Sequence, residues 1–326
     1  MNAVLAPRPT VILNQTGAEA DALLAAAALP VALAGDPDAP PWTRAGEVDV
    51  LFTGPRNGWR NAPTQAPAGW PGRLQWVHLA SAGIDFFPPW LLQVPLVTCS
   101  RGVAAVPIAE YVLAALLAHE KSWDSLRVDG AGPWRETFQR VDRQPPGTLR
   151  GRSLGIAGYG AIGREVARLA QAFGMQVTAL RRGGAPLEGV HSAGSIEELL
   201  AASDHLVLAL PITAQTHHLV NAATLAHARP GLHLVNIARG ALVDQQALLE
   251  ALDSGQLSGA TLDVTDPEPL PDGHPLYHHP RVRLTPHVSW AAWDAGALTA
   301  QKFVANLSRF LAGQALEDRV DFQRGY

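Results

Sequence analysis

At 326 residues, 47% of them apolar, the chain is long enough for two domains and has ample material for buried cores. Its net charge of −4 supplies no basic field to recruit nucleic acid or anionic lipid. Cys99 is the only cysteine, which excludes an intrachain disulfide and any zinc site built on thiolates, and points to a reducing, cytoplasmic setting.

The first ten residues lack a charged-then-apolar signal pattern. The longest apolar stretch, 23–34, contains Pro30 and is too short to span a bilayer, so no membrane partner is expected. The first hundred residues read as a small α/β unit. Residues 11–13 form a predicted strand, 19–28 a helix, 48–53 a second strand and 74–79 a third. Residues 55–73 are rich in Pro, Gly, Asn and Trp and read as a surface loop or short irregular element. Ser81-Ala82-Gly83 is a turn of small residues. A strongly apolar helix is predicted over 108–119, and 123–150 reads as a polar, proline-punctuated connector.

From Gly151 onward, strand and helix alternate as in a doubly wound parallel sheet. Strands are expected at 153–157, 177–180, 205–210, 232–237, 259–264 and 282–285. A helix at 164–173 aligns Val166, Leu169, Ala170 and Phe173, and ends at Gly174, where a left-handed residue is wanted. Ser195 and Glu198 have the spacing of a capping box. Asp244 caps a later helix that Gly255 closes. The last helix, 292–312, places Phe303, Leu307 and Phe310 on one face.

Between the strand at 153–157 and the helix that follows runs Gly158-Tyr159-Gly160-Ala161-Ile162-Gly163, a GxGxxG loop in the context a dinucleotide needs. Gly158 permits the tight turn, Gly160 lets backbone approach a pyrophosphate, and Gly163 lets helix and strand close up. The helix start at Ala161 and Ile162 offers free N–H groups and partial positive charge to phosphate. NAD sites usually carry a carboxylate at the end of the second strand, about twenty residues on. Here that position is Arg181, followed by Arg182, with no acid until Glu188. Two guanidiniums suit a 2′-phosphate, so the expected cofactor is NADP(H) ahead of NAD(H); the plain alternative is a pair of solvated surface charges.

Three more stretches follow predicted strands of the parallel sheet: Asn236-Ile237-Ala238-Arg239-Gly240, then Asp263 through Glu268-Pro269, then Thr285-Pro286-His287. Ligands bind outside the carboxyl ends of such strands, so all three can converge. Hydride transfer to a carbonyl needs a proton for the oxygen as well, and an imidazole such as that of His287 suits that task. Glu268 can orient it, and Arg239 can pair with a substrate carboxylate and polarise the carbonyl.

Together with the Gly151-Arg152-Ser153-Leu154-Gly155-Ile156 strand and the glycine loop, these motifs resemble the D-isomer-specific 2-hydroxyacid dehydrogenases, in order and spacing, from about Leu74 to the final helix. The resemblance implies catalysis by Arg239, Glu268 and His287. It implies that Asp263 contacts the nicotinamide side of the cofactor, a turn cap being the alternative reading, with Ala238 beside it. It places Pro211 and Thr216 on the adenosine side, and has the backbone of Ala82 and Gly83 hold the substrate carboxylate, where a plain turn is the competing view. The adjacent pairs His217-His218 and His278-His279 seldom chelate one ion, and no metal is assigned. Trp290 is bulkier than the residue usual there and either narrows the substrate pocket or packs a domain interface.

The implied architecture is two α/β domains. A smaller flavodoxin-like substrate domain takes 1–100 and 290–326, and a Rossmann-type dinucleotide domain takes 101–289. The implied activity is hydride transfer between NADP(H) and a small 2-keto or 2-hydroxy acid, as in a hydroxypyruvate or glyoxylate reductase. The alternatives are an NAD-dependent phosphoglycerate dehydrogenase, for which Arg56 or Arg60 would have to meet the phosphate, and a cofactor-sensing corepressor. Family members are typically homodimers joined through the cofactor domains, to which the 108–119 helix and the 123–150 arm can contribute.

Overall fold

Short apolar runs between turn residues make twelve parallel strands among the described residues, 8–183 and 189–321, of a computed structural model. Glu188 therefore lies outside them. The chain divides into two compact units, one formed by the residues up to Val103 with those from Ala292 onward, the other by Ala104–Ala291.

In the first unit β1 (Thr10–Asn14), α1 (Ala18–Ala26), β2 (Val31–Leu33), β3 (Val50–Thr53), β4 (Trp76–Leu79) and β5 (Leu96–Cys99) build one sheet in the order β2-β1-β3-β4-β5. That is the flavodoxin-like order. Every residue of β3 and β4 is buried, because helices and loops cover both faces. On one face the C-terminal helix, Ala295–Leu311, returns to stack Phe303 on Phe52 and Trp76, with ring centroids 4.2 and 5.2 Å apart. On the other face Trp42, Trp59 and Trp90 pack together. The expected surface loop at 55–73 is thus anchored: Trp59 is buried and donates its indole N–H to Thr53 Oγ1 at 2.9 Å.

The second unit runs α2 (Ala105–Glu120), α3 (Ala131–Arg143), β6 (Ser153–Ala157), α4 (Ala161–Ala172), β7 (Gln176–Leu180), β8 (His191–Ala193), α5 (Ile196–Ala202), β9 (His205–Leu208), α6 (Ala222–Leu225), β10 (Leu232–Asn236), α7 (Gln245–Asp253), β11 (Leu257–Leu262) and β12 (Val282–Leu284). Its sheet is ordered β12-β11-β10-β9-β6-β7-β8. From β6 the chain winds outward through β7 and β8, then crosses back to β9 and winds the other way. This reversal beside β6 is the switch point at which such sheets bind ligands. Helices α2 and α4 cover one face around Leu154, Ile156 and Val166, while α5, α6 and α7 cover the other.

Two local expectations need correction. The 123–150 stretch is not only a connector: α3 occupies its middle, because Trp134, Phe138 and Val141 recur at helical spacing. None of its residues is buried, and Trp134 and Phe138 stay 61% and 65% exposed. At Ser195 only half of the capping box forms. Ser195 Oγ accepts from the Glu198 N–H, but the Glu198 carboxylate turns to the Gly194 N–H at 2.7 Å. The complete box is at Asn221 and Thr224.

At the amino ends of the strands lies a polar cluster that no motif announced. His119 stacks on His233 with ring centroids 4.0 Å apart. His205 Nδ1 is 3.2 Å from His233 Nδ1, and its Nε2 is 3.1 Å from Glu120 Oε1. Arg152 binds Glu120 in turn. A cavity of about 350 Å³, lined by His119, Glu120, Arg152, Asp204, His205 and Ser258, opens beside them, at the end of the sheet opposite the glycine loop. No helix among the described residues is long and apolar enough to cross a membrane.

Candidate active site

The loops that carry the predicted site all leave the carboxyl ends of strands. The glycine loop follows β6, and its three glycines meet three different demands. Gly158 has φ +101°, and a Cβ there would lie 2.5 Å from the Ala209 carbonyl oxygen. Gly163 is closed against Gly158, whose carbonyl oxygen would be 2.2 Å from an added Cβ. At Gly160, the N-cap of α4, nothing lies within 4 Å of where a Cβ would be. The first and third glycines are therefore required by the protein's own packing, whereas the second faces open space at a helix N-terminus, as a backbone that receives a pyrophosphate should. These residues fit a dinucleotide.

Arg181 follows β7 directly, and both it and Arg182 are exposed. Beyond β9, Thr216 Oγ1 donates to the Pro211 carbonyl at 2.8 Å and accepts the Thr213 N–H, closing the 211–216 loop on itself. Ala238 and Arg239 follow β10. Asn236 shapes that turn from below: its side chain accepts the Ala238 N–H and donates to the Arg239 carbonyl. Arg239 is half-buried, and its Nη1 donates to the Ala238 carbonyl at 2.7 Å.

Gly240 was noted in sequence only as part of a motif, and the structure supplies its reason. A Cβ there would lie 2.0 Å from the Thr265 carbonyl carbon and 2.1 Å from its oxygen. Only glycine lets the loop after β10 press on the loop after β11. Gln245, which sequence reasoning missed, joins the same two loops by donating to the Asp266 carbonyl and accepting the Asp266 N–H at 3.2 Å. The loop that presents Arg239 is thereby braced against the loop that leads to Glu268.

Glu268 and His287, nineteen positions apart and on different loops, meet at 2.7 Å through Glu268 Oε1 and His287 Nδ1. Their side chains are 37% and 24% exposed, so both sit at the rim of the protein interior. A carboxylate on Nδ1 is the arrangement expected of an oriented acid–base histidine. His287 has φ +54°, a left-handed conformation that costs a non-glycine residue of order 1–3 kcal/mol and persists only where the surroundings impose it.

Those surroundings centre on Asp263, which is 1% exposed. Its backbone carbonyl accepts the His287 N–H at 2.8 Å. Its carboxylate accepts the Thr285 hydroxyl at 2.6 Å and the N–H groups of Val288 and Ser289 at 2.9 and 2.8 Å. This is the turn-capping geometry that sequence analysis held as the alternative to a cofactor contact. Trp290 completes the turn by donating its indole N–H to the His287 carbonyl at 2.8 Å.

In the first unit, residues 81–85 follow β4. The Ser81 hydroxyl donates to the Gly83 carbonyl at 2.7 Å, and the N–H groups of Ala82 and Gly83 reach no acceptor among the described residues. His217 and His218 stack on each other at 4.0 Å. No group of three or more His, Cys, Asp or Glu side chains among the described residues could hold a metal ion.

Residues 112–289 match the family model for the NAD-binding domain of D-isomer specific 2-hydroxyacid dehydrogenases. The glyoxylate/hydroxypyruvate reductase A of Serratia proteamaculans is 34% identical over 268 residues, which cover 78% of this chain and 82% of that protein. A solved D-isomer specific 2-hydroxyacid dehydrogenase family protein from Aeromonas salmonicida superposes with a TM-score of 0.77 at 32% identity, over 97% of this chain and all of its own. A D-isomer specific 2-hydroxyacid dehydrogenase from Xanthobacter autotrophicus, solved with NADPH and MES, gives a TM-score of 0.75 at 29% identity, over 98% of this chain and all of its own.

Proposed function

The chain belongs to the D-isomer specific 2-hydroxyacid dehydrogenases, enzymes that act on CH–OH groups with NAD(P); from that premise we propose that it reduces glyoxylate or hydroxypyruvate with NADP(H) in preference to NAD(H). The observation that carries the chemistry is the 2.7 Å contact between Glu268 and His287 at the carboxyl ends of adjacent strands. His287 Nε2 delivers the proton to the carbonyl oxygen of the keto acid. Glu268 holds the ring by its other nitrogen and stabilises the imidazolium while it carries that proton. The Arg239 guanidinium pairs with the substrate carboxylate and draws charge toward the carbonyl oxygen. In the first unit, the N–H groups of Ala82 and Gly83, which reach no acceptor among the described residues, suit a carboxylate. When bound, the dinucleotide supplies the hydride to the keto carbon. Gly158, Gly160, Ala161, Ile162 and Gly163 hold its pyrophosphate, and Pro211, Thr216 and Ala238 border it. Asp263 acts here through the turn it caps.

The preference for NADP(H) rests on Arg181 and Arg182, exposed at the end of β7 where an NAD site carries an acid. The NADPH-bound Xanthobacter relative is in keeping with it. Steady-state kinetics with glyoxylate, hydroxypyruvate, pyruvate and 3-phosphohydroxypyruvate, each with NADPH and NADH, test both halves. One of the first two acids with NADPH should exceed the other pairings by about tenfold in kcat/KM. Equal efficiency with NADH would remove the cofactor preference, and a best rate on the phosphorylated acid would replace the substrate.

The working form is proposed to be a homodimer formed through α3. A helix with no buried residue, carrying Trp134 and Phe138 in the open beside an equally exposed Trp123, is an apolar face that a second copy can cover symmetrically. Sedimentation should give twice the chain mass for the wild type and a single-chain mass for the Trp134→Glu/Phe138→Glu double variant. A wild-type monomer would dispose of the idea.

A further inference from the structure

The hydroxyl of Tyr111, on α2, lies 2.6 Å from Thr285 Oγ1. Thr285 has one proton to give, and it goes to Asp263 Oδ1, also at 2.6 Å. Tyr111 must therefore be the donor of the first bond, and the proton order runs one way: Tyr111 to Thr285 to Asp263. Asp263 in turn holds three consecutive residues of the turn. Its carbonyl accepts the His287 N–H, and its carboxylate accepts those of Val288 and Ser289. No other side chain of α2 reaches this turn through a hydrogen bond among the described residues.

We propose that Tyr111 is a positioning residue for His287, acting through the Thr285 hydroxyl and the Asp263 carboxylate. The proposal rests on the reading of His287 as proton donor and adds to it the element that aims the donor. His287 has φ +54°, which the ring would leave if the turn relaxed, and a displacement of an ångström in a reacting group is enough to cost much of a rate. Fixing the Thr285 proton on Asp263 keeps both carboxylate oxygens facing the turn. Burial, with the nearby Asp263 charge, pushes the Tyr111 hydroxyl above its ordinary range, so it remains a donor across the neutral range. Arg283, the nearby cation, is too weak a counterweight to reverse this.

Four single variants and one double decide the matter: Tyr111→Phe, Thr285→Val, Thr285→Ser, His287→Asn and the Tyr111→Phe/Thr285→Val pair. Tyr111→Phe should lower kcat for keto-acid reduction by about tenfold, leave KM for both substrates within about twofold, and raise the solvent deuterium isotope effect on kcat. A loss of folded protein alone would lower kcat without moving the isotope effect. Thr285→Ser keeps the hydroxyl and should stay near wild type. Thr285→Val should match Tyr111→Phe, and the Tyr111→Phe/Thr285→Val pair should be no worse than Thr285→Val alone, because both act on one chain of bonds. Wild-type kcat and isotope effect in Tyr111→Phe, with His287→Asn inactive, would overturn this proposal and spare the parent reading. An active His287→Asn would overturn the parent reading itself.

Discussion

His287→Asn is expected to lower kcat for keto-acid reduction by a factor of about 10²–10⁴, the range over which a positioned general acid contributes, while the dinucleotide Kd stays within about twofold. Asparagine is the informative replacement, because it tolerates the left-handed backbone that His287 adopts at φ +54° and cannot serve as a general acid. The turn should therefore survive, with Asp263 still accepting from Val288 and Ser289. What disappears is the 2.7 Å contact with Glu268 and the nitrogen beyond it. Cofactor affinity is spared because the glycine loop follows β6, and no hydrogen bond among the described residues joins it to the His287 turn. Stopped-flow measurement of cofactor oxidation in a single turnover, alongside fluorescence titration with the dinucleotide, separates the two effects. Wild-type turnover would remove His287 from the chemistry, and a large loss of cofactor affinity would show that the turn also builds the dinucleotide site.

Acidification from pH 7 to pH 4.5 is expected to cost the fold several kcal/mol, well before most carboxylates titrate. Burial, followed by the Lys302 charge, lowers His78 to about 3. Burial, followed by His205, lowers His119 to about 4, and burial with its neighbour His119 lowers His233 well below the usual range. As pH falls through about 6.5 these histidines take up protons when unfolded but remain neutral when folded. The unfolded state then binds more protons, so stability that is complete above pH 6.5 drains away as pH drops toward 4. At pH 4.5 each such group costs about 2 kcal/mol, against a total of about 5–15 kcal/mol for a typical domain. Glu120 faces the second cluster. Burial alone would raise it, yet His205 and Arg152 hold it below the ordinary carboxylate value, so its own loss falls at lower pH and with the same sign. His78 belongs to the first unit and His119 and His233 to the second, so both should melt earlier. Differential scanning calorimetry at pH 7, 5.5 and 4.5 reads the effect, and His119→Gln should flatten it. A melting temperature independent of pH across that window would contradict the neutral, buried assignment.

The same histidines show what local reading cannot see. Sequence analysis weighed the adjacent pairs His217-His218 and His278-His279, whereas the cluster that forms uses His119, His205 and His233, far apart in the chain. They meet because β9 and β10 are neighbours and α2 ends beside them, and strand adjacency in a parallel sheet is decided by crossovers, not by nearby residues. Tyr111 and Thr285 are likewise 174 positions apart. The strands β2, β5 and β8, three or four residues each, carry too little pattern to be found alone, and they exist because a neighbouring strand offers them a ladder.

By itself the sequence determined the features whose physics is local. The strand, turn and helix around Gly158, Gly160 and Gly163 need only backbone freedom and a helix start, the cap at Asp244 needs only its two N–H partners, and the buried parallel strands need only continuous apolar runs. The motifs holding Arg239, Glu268 and His287 were equally legible, each following a strand. Tertiary structure alone decided that Glu268 reaches His287, that Gly240 must be bare so that two loops can touch, and that the Asp263 carboxylate is occupied by the turn that carries the histidine. Each depends on atoms from different loops arriving at one place, which long-range packing of the sheet brings about.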